Sequence, residues 1–281
     1  LDGAHALQDG NRLQTLSKWQ KGDTSPETAR EVIDPATPAT SRLPFFASLN
    51  RGMSENPPPP RDATLLDLFR SVGLGPGQGD DFSRLDPATA RGLGRAMRDG
   101  LAMLRAAAVA GGNAAHINGW VYGQMNWGRT AVSGDFLTRA ATQSFAGMQE
   151  HWIEEVVKLR AHHDGKGAPL DGSKARYTIH FGPGQVPEAG AFWSITVYDP
   201  DYDLVANPLA RYSRGSVDRE MKRDKLGGLT LYLSAEPPAR RLQANWLPAP
   251  RGPFNLFLRA YLPGLALQRQ EYVPPAVEMV P

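Results

Sequence analysis

The stretch Ala191-Phe192-Trp193-Ser194-Ile195-Thr196-Val197-Tyr198-Asp199 carries aromatic and β-branched residues on both parities. Such a run reads as a strand covered on both faces. Upstream, Tyr177, Ile179 and Phe181 alternate with Arg176, Thr178 and His180. Downstream, Leu229, Leu231 and Leu233 alternate with Thr230, Tyr232 and Ser234, and Phe254, Leu256, Leu258 and Ala260 alternate with Asn255, Phe257, Arg259 and Tyr261. A period of two puts each apolar row on one face. Strands joined by Gly and Pro turns, with no helix between them, predict an antiparallel β-sandwich of the jelly-roll kind over residues 166–281.

Before that segment the period changes. Leu43, Phe46, Leu49 and Met53 share one helical face, and Pro57 to Pro60 follow as a polyproline spacer. Asp62 then caps a helix with Leu65, Leu66, Phe69 and Val72 inward and Gly73 at its end. Asp86 and Pro87 open a third helix, marked by Leu93, Met97, Leu101 and Leu104 and closed by Gly111-Gly112. A fourth helical stretch is expected from about Gly134 to His162, broken near Gly147, with Phe145, Met148, Trp152, Val156 and Leu159 as its stripe. Residues 43–165 therefore read as a helical domain, and residues 1–42 as an extended, Pro-punctuated arm with at most one helical turn, from Pro26 to Ile33. The fold class is α+β multidomain: an arm, an all-α layer, then a sandwich. The arm's Leu7, Leu13, Leu16, Trp19, Val32 and Ile33 lack a periodicity of their own, so they are expected to lie buried across the helical layer or the sandwich.

Composition narrows the function classes. The chain has 281 residues, 41% of them hydrophobic, which is enough for a real core; 29 glycines and 24 prolines predict many turns. Lys plus Arg total 31 against 29 Asp plus Glu, with no basic run, so nucleic acid is not the expected partner. Cysteine is absent, which excludes disulfides and thiolate chemistry. No run approaches the length of a membrane span.

No motif in the chain announces catalysis. His162-His163-Asp164 reads as a helix C-terminus followed by the turn Asp164-Gly165-Lys166-Gly167, because adjacent helical residues diverge too far to share an ion. His116, His151 and His180 fall on a loop, a helix and a strand, and no H-x-H pair exists, so neither a metal nor another cofactor is expected. There is no nucleophile elbow, and the glycine loops lack the context of a phosphate cradle.

The series Ala191 to Asp199, Asn207-Pro208, Arg211-Tyr212-Ser213 and Asn245-Trp246-Leu247-Pro248-Ala249-Pro250 resembles the C-terminal domain of the bacterial DUF1254/DUF1214 proteins. That resemblance implies an all-α segment followed by a jelly roll over essentially the whole chain. It implies a preceding DUF1254 domain, so the chain is expected to begin just after it, near Leu7-Gln8-Asp9-Gly10. It also implies a periplasmic or secreted location.

Two polar sets could form a site. One lies within those motifs: Tyr198, Asp199, Asn207, Arg211, Tyr212, Asn245, Trp246, Arg259 and Tyr261, with Arg259 and Tyr261 sharing a strand face with Asn255. The other is the aromatic-amide segment 118–128, with Trp120, Tyr122, Asn126 and Trp127, whose rings could stack on a ligand or plug the seam between two layers. The expected function is binding of a small organic or carbohydrate ligand in the seam between helices and jelly roll. The alternatives are a metal-independent hydrolase or lyase using Tyr198, Asp199, Arg211 or His180, and an assembly module whose arm docks on the absent domain or another subunit.

Overall fold

Trp193, Ile195 and Val197 point into a common core with Tyr177, Ile179, Phe181, Leu229, Leu231, Leu233, Leu256, Leu258 and Ala260, all buried as their alternation requires. A computed structural model describes residues 6–7, 10–11, 14–25, 43–110, 114–145 and 150–280. The chain forms two compact units, Leu1–Asp99 and Gly100–Pro281.

The strands belong to the second unit. They are β1 (His116–Ile117), β2 (Trp120–Tyr122), β3 (Val156–Ala161), β4 (Arg176–Phe181), β5 (Ala189–Tyr198), β6 (Ser213–Gly215), β7 (Leu229–Ser234), β8 (Trp246–Pro248), β9 (Asn255–Pro263) and β10 (Val277–Val280). One sheet has the order β1-β2-β3-β9-β5-β6 and the other β10-β4-β7-β8. Pairing is antiparallel except between β7 and β8, which run parallel. The sheets close on each other through rings as well as aliphatic side chains. Tyr177 of β4 meets Phe254, just before β9, at 5.6 Å, edge to face, and Phe181 meets Trp193 of β5 at 5.4 Å.

The helices are α1 (Leu16–Gln20), α2 (Pro44–Glu55), α3 (Ala63–Arg70), α4 (Pro87–Ala110), α5 (Phe136–Phe145) and α6 (Leu265–Gln268). In the first unit Leu43, Phe46, Leu74 and Leu93 form a small core with Leu49, Phe69, Val72 and Met97 around it. The end of α3 is a Schellman motif: Leu74 N–H donates to the Phe69 carbonyl and Gly73 N–H to that of Arg70, with Gly73 at φ 77°. Asp86 Oδ1 accepts from the backbone N–H groups of Ala88 and Thr89, so the expected cap of α4 is present. Asp62 precedes α3 but makes no capping bond with its side chain.

Three expectations are corrected. Residues 150–162 are not helical: after α5 the chain turns at Trp152 and runs into β3, where Val157, Leu159 and Ala161 face the core. Those residues satisfy period two as well as the looser helical spacing, and pairing with β9 along Val156–Ala161 selects the strand. Leu101 of the α4 stripe is exposed at 56%. The arm residues Leu16 and Trp19, expected to be buried, are 66% and 68% exposed, and they sit on the helix α1 where an extended chain was expected. The turn at Pro26 to Ile33, Leu13, the stop at Gly111-Gly112 and the break near Gly147 with Met148 lie outside the described residues. Among the described residues, no helix is long and apolar enough to cross a membrane.

Candidate functional site

The outward parity of the six-stranded sheet assembles a polar, aromatic face. Register pairs Lys158 with Arg259 and Ser194, Arg160 with Phe257 and Thr196, and Tyr198 with Asn255, so these side chains form successive rows. Arg259, Tyr261 and Tyr198, three of the expected site residues, therefore lie on one surface. The Arg259 guanidinium carbon stands 4.9 Å from the centre of the Phe257 ring and 5.4 Å from that of Tyr198. Tyr261 stacks on Phe192 at 4.2 Å and 19°. Among the described residues no carboxylate or carbonyl pairs with Arg259. Its neighbour Lys158 is different, being bound to Glu150 at 2.5 Å in a half-buried pair and standing 5.7 Å from the Trp127 ring.

One residue of this face was missed in the sequence. His162 extends the outward row of β3, and its Nδ1 lies 2.5 Å from Asn255 Oδ1. Asn255 Nδ2 donates to the Asp199 carbonyl at 3.0 Å, which orients the amide and makes its oxygen the acceptor for an Nδ1–H tautomer. The Nε2 atom has no partner among the described residues. Burial pushes the imidazole pKa down, opposed by the Asn255 bond and reinforced by Arg160 and His163. The Tyr202 ring packs edge-on to His162 at 6.2 Å and to Phe257 at 5.8 Å. Reading 134–162 as a helix hid this residue; the period-two row Lys158, Arg160, His162 was the available signal. The following turn forms as expected, with Asp164 Oδ1 accepting from the N–H groups of Lys166 and Ala168.

The other expected site residues lie elsewhere. Trp120 and Tyr122 face the interior; the Trp120 indole donates to the Pro275 carbonyl at 2.9 Å and the Tyr122 hydroxyl to that of Tyr272 at 2.6 Å. Asn118 and Gly119, at φ 53° and 82°, form the tight turn between β1 and β2, and Asn118 Nδ2 donates to the Pro274 carbonyl. Asn126 donates to Asp135, whose carboxylate also accepts from Thr138 N–H at the start of α5. Trp127 lies over Gly123, near Lys158 at the margin of the outer face.

Asn207, Arg211, Asn245 and Trp246 bond backbone groups near β6 and β8. Arg211 Nη1 donates to the carbonyls of Gln243 and Trp246. Asn207 ties together residues 205 to 211 of its own loop, Asn245 donates to Lys222 and Thr230, and the Trp246 indole donates to Ser234. His180 stands exposed on the four-stranded sheet, bonded to Thr230 Oγ1 at 2.8 Å. Asp199 Oδ1 accepts from the N–H groups of Asp201 and Asp203. Among the described residues no group of three or more His, Cys, Asp or Glu side chains could hold a metal ion.

Residues 155–265, from the approach to β3 through the start of α6, match the family described as Protein of unknown function (DUF1214). The match contains His162, Tyr198, Asn255, Arg259 and Tyr261. Among solved structures, the VPA0106 protein from Vibrio parahaemolyticus is similar at TM-score 0.66 and 27% identity, over 95% of this chain and 62% of that one. This chain thus spans less than two thirds of the Vibrio protein. An uncharacterized protein from Burkholderia cenocepacia aligns at TM-score 0.33 and 15% identity, over 78% of this chain and 49% of that one, too weakly to carry an argument. No curated protein matches the chain.

Proposed function

We propose that this DUF1214-containing chain binds a small organic acid on the outer face of its six-stranded sheet, with the ligand carboxylate on Arg259. The carrying observation is a guanidinium lying over Phe257 and Tyr198 with no acidic or carbonyl partner among the described residues. Rings on its flanks leave the forked N–H edge as its means of recognising an anion. Helical chain borders this face within the second unit, because Arg160 donates to the Ala108 carbonyl near the end of α4 at 3.0 Å. Uronic acids are the carbohydrate members of the class.

Calorimetric titration with benzoate, glucuronate and neutral glucose tests the reading. Benzoate or glucuronate is expected to bind and glucose not, with Arg259→Gln weakening the acid about tenfold or more. Absence of binding by both acids to folded protein, or unchanged affinity in the variant, sinks the proposal.

His180 lies on the four-stranded sheet and Tyr198 on the six-stranded one, so the arrangement lends no support to a hydrolase or lyase that pairs those two. A docking role for the arm has one supporting observation, the exposure of Leu16 and Trp19. Sedimentation of the protein with and without residues 1–25 tests that second reading; the mass of a monomer in both excludes self-association through the arm. Export to the periplasm is kept as part of the proposal on the family resemblance, and cell fractionation tests it.

A further inference from the structure

Arg259 and His162 Nε2, which have no hydrogen-bond partner among the described residues, are joined across the outer face by an aromatic floor. Phe257 lies edge-on to Tyr198 at 5.4 Å and to Tyr202 at 5.8 Å, and Tyr202 lies 6.2 Å from the His162 ring. Asn255 and Arg259 are four residues apart on β9, roughly 13 Å between Cα atoms. The guanidinium leans back along that path, since it stands over Phe257 and over Tyr198, the register partner of Asn255. His162 reaches in from the neighbouring strand and is held there by Asn255. The rings between anion donor and proton acceptor give one substituted ring a surface to lie on.

The acceptor's identity follows from its bond. Asn255 offers its oxygen to His162 because its nitrogen is committed to the Asp199 carbonyl, so the imidazole proton resides on Nδ1 and Nε2 carries the lone pair. A lone pair in a partly dry site accepts from a hydroxyl and gives nothing to a bare C–H or to a second carboxylate. Tyr202 reinforces the aromatic preference: it stands at φ 68°, an uncommon backbone conformation that brings its ring over the floor.

We infer that the site takes an aromatic hydroxy acid, its carboxylate on Arg259, its ring on Phe257 and Tyr202, and its hydroxyl donated to His162 Nε2. The inference rests on the carboxylate reading above and adds the ring and the hydroxyl. No covalent step is involved; His162 is a specificity-determining residue.

The experiment compares 4-hydroxybenzoate with benzoate by calorimetry on the full chain, and follows the His162 Nε2 resonance by ¹⁵N NMR, assigned with His162→Phe. 4-Hydroxybenzoate is expected to bind about tenfold more tightly and to shift the Nε2 resonance, and His162→Phe to abolish that preference while still binding benzoate. Benzoate binding with no advantage for the hydroxylated acid, or an advantage that survives in His162→Phe, overturns this inference and leaves the carboxylate reading standing. Failure of 4-hydroxybenzoate and benzoate to bind overturns this inference, and failure of glucuronate as well overturns the carboxylate reading. If His162→Phe does not fold, His162→Gln supplies both the assignment and the affinity comparison, and an unchanged ratio there overturns the inference.

Discussion

The Trp120 indole donates to the Pro275 carbonyl across 155 residues of sequence, at 2.9 Å and with the Trp120 side chain fully buried. It is one of five bonds by which residues 115–123 hold the segment 270–275: Asn118 and Tyr122 also donate to it, and Gln270 bridges Ala115 N–H and the Gly123 carbonyl. The segment has no sheet partners of its own, so these side chains replace a ladder. Trp120→Phe removes the donor and is expected to cost about 2 kcal/mol; Trp120→Ala adds a cavity and should cost roughly 3–5 kcal/mol. Urea unfolding checks both, and a variant within experimental error of the wild type would show that the bond contributes nothing.

Gly119 occupies the second position of the β1–β2 turn at φ 82°, and a Cβ there would meet the Asp164 carbonyl oxygen at 2.8 Å. Gly119→Ala therefore combines backbone strain with a clash and is expected to lower stability by roughly 1–3 kcal/mol. Asn118→Gly keeps the turn and loses only the bond to Pro274, at about 1 kcal/mol. Thermal denaturation should rank the two in that order.

Buried Asn245 donates to the carbonyls of Lys222 and Thr230 and accepts from Lys222 N–H. Asn245→Asp replaces the donor by an oxygen facing two carbonyls, which forces either protonation or repulsion. It should destabilise more than Asn245→Ala at pH 7 and recover part of the loss at pH 4. Equal loss at both pH values would contradict that account.

Arg214 is 2% exposed, bonded through Nη1 to Glu220 at 2.6 Å and to Asp218 at 3.2 Å, while its Nε and Nη2 are buried without partners among the described residues. Removing both countercharges, as in Asp218→Asn with Glu220→Gln, leaves a buried cation and is expected to cost more than Arg214→Met, which removes the cation and keeps the volume. The reverse ranking in urea unfolding would show that solvent already screens this arginine.

Burial holds the His162 imidazole below its ordinary value of 6.5. The native state keeps it neutral while the unfolded chain takes up a proton as pH falls below that value, so its stabilising contribution is present above 6.5 and lost as pH falls through the folded pKa. The charged groups pressing on it, Arg160 and His163, act in the same direction. His162→Gln should flatten the loss of stability between pH 7 and 5. A wild-type curve of identical slope would mean that the ring is solvated.

The strands β4, β7 and β9 were legible because each alternates apolar and polar residues, and β5 because aromatic and β-branched residues fill both of its parities, so the pattern is written in the segment itself. Asp86, Gly73 and the face shared by Asn255, Arg259 and Tyr261 were legible for the same local reason. Around Trp152 to His162 two periods fit the same residues, and only pairing with β9 chose between them. The sequence by itself determined where the chain alternates, turns and caps, because those preferences act within a few residues. The tertiary structure alone decided that His162 meets Asn255, that Trp120 closes on Pro275 and that Arg259 is left without an acid, because partners 93 or 155 residues apart meet only through the register of strands that no single segment encodes.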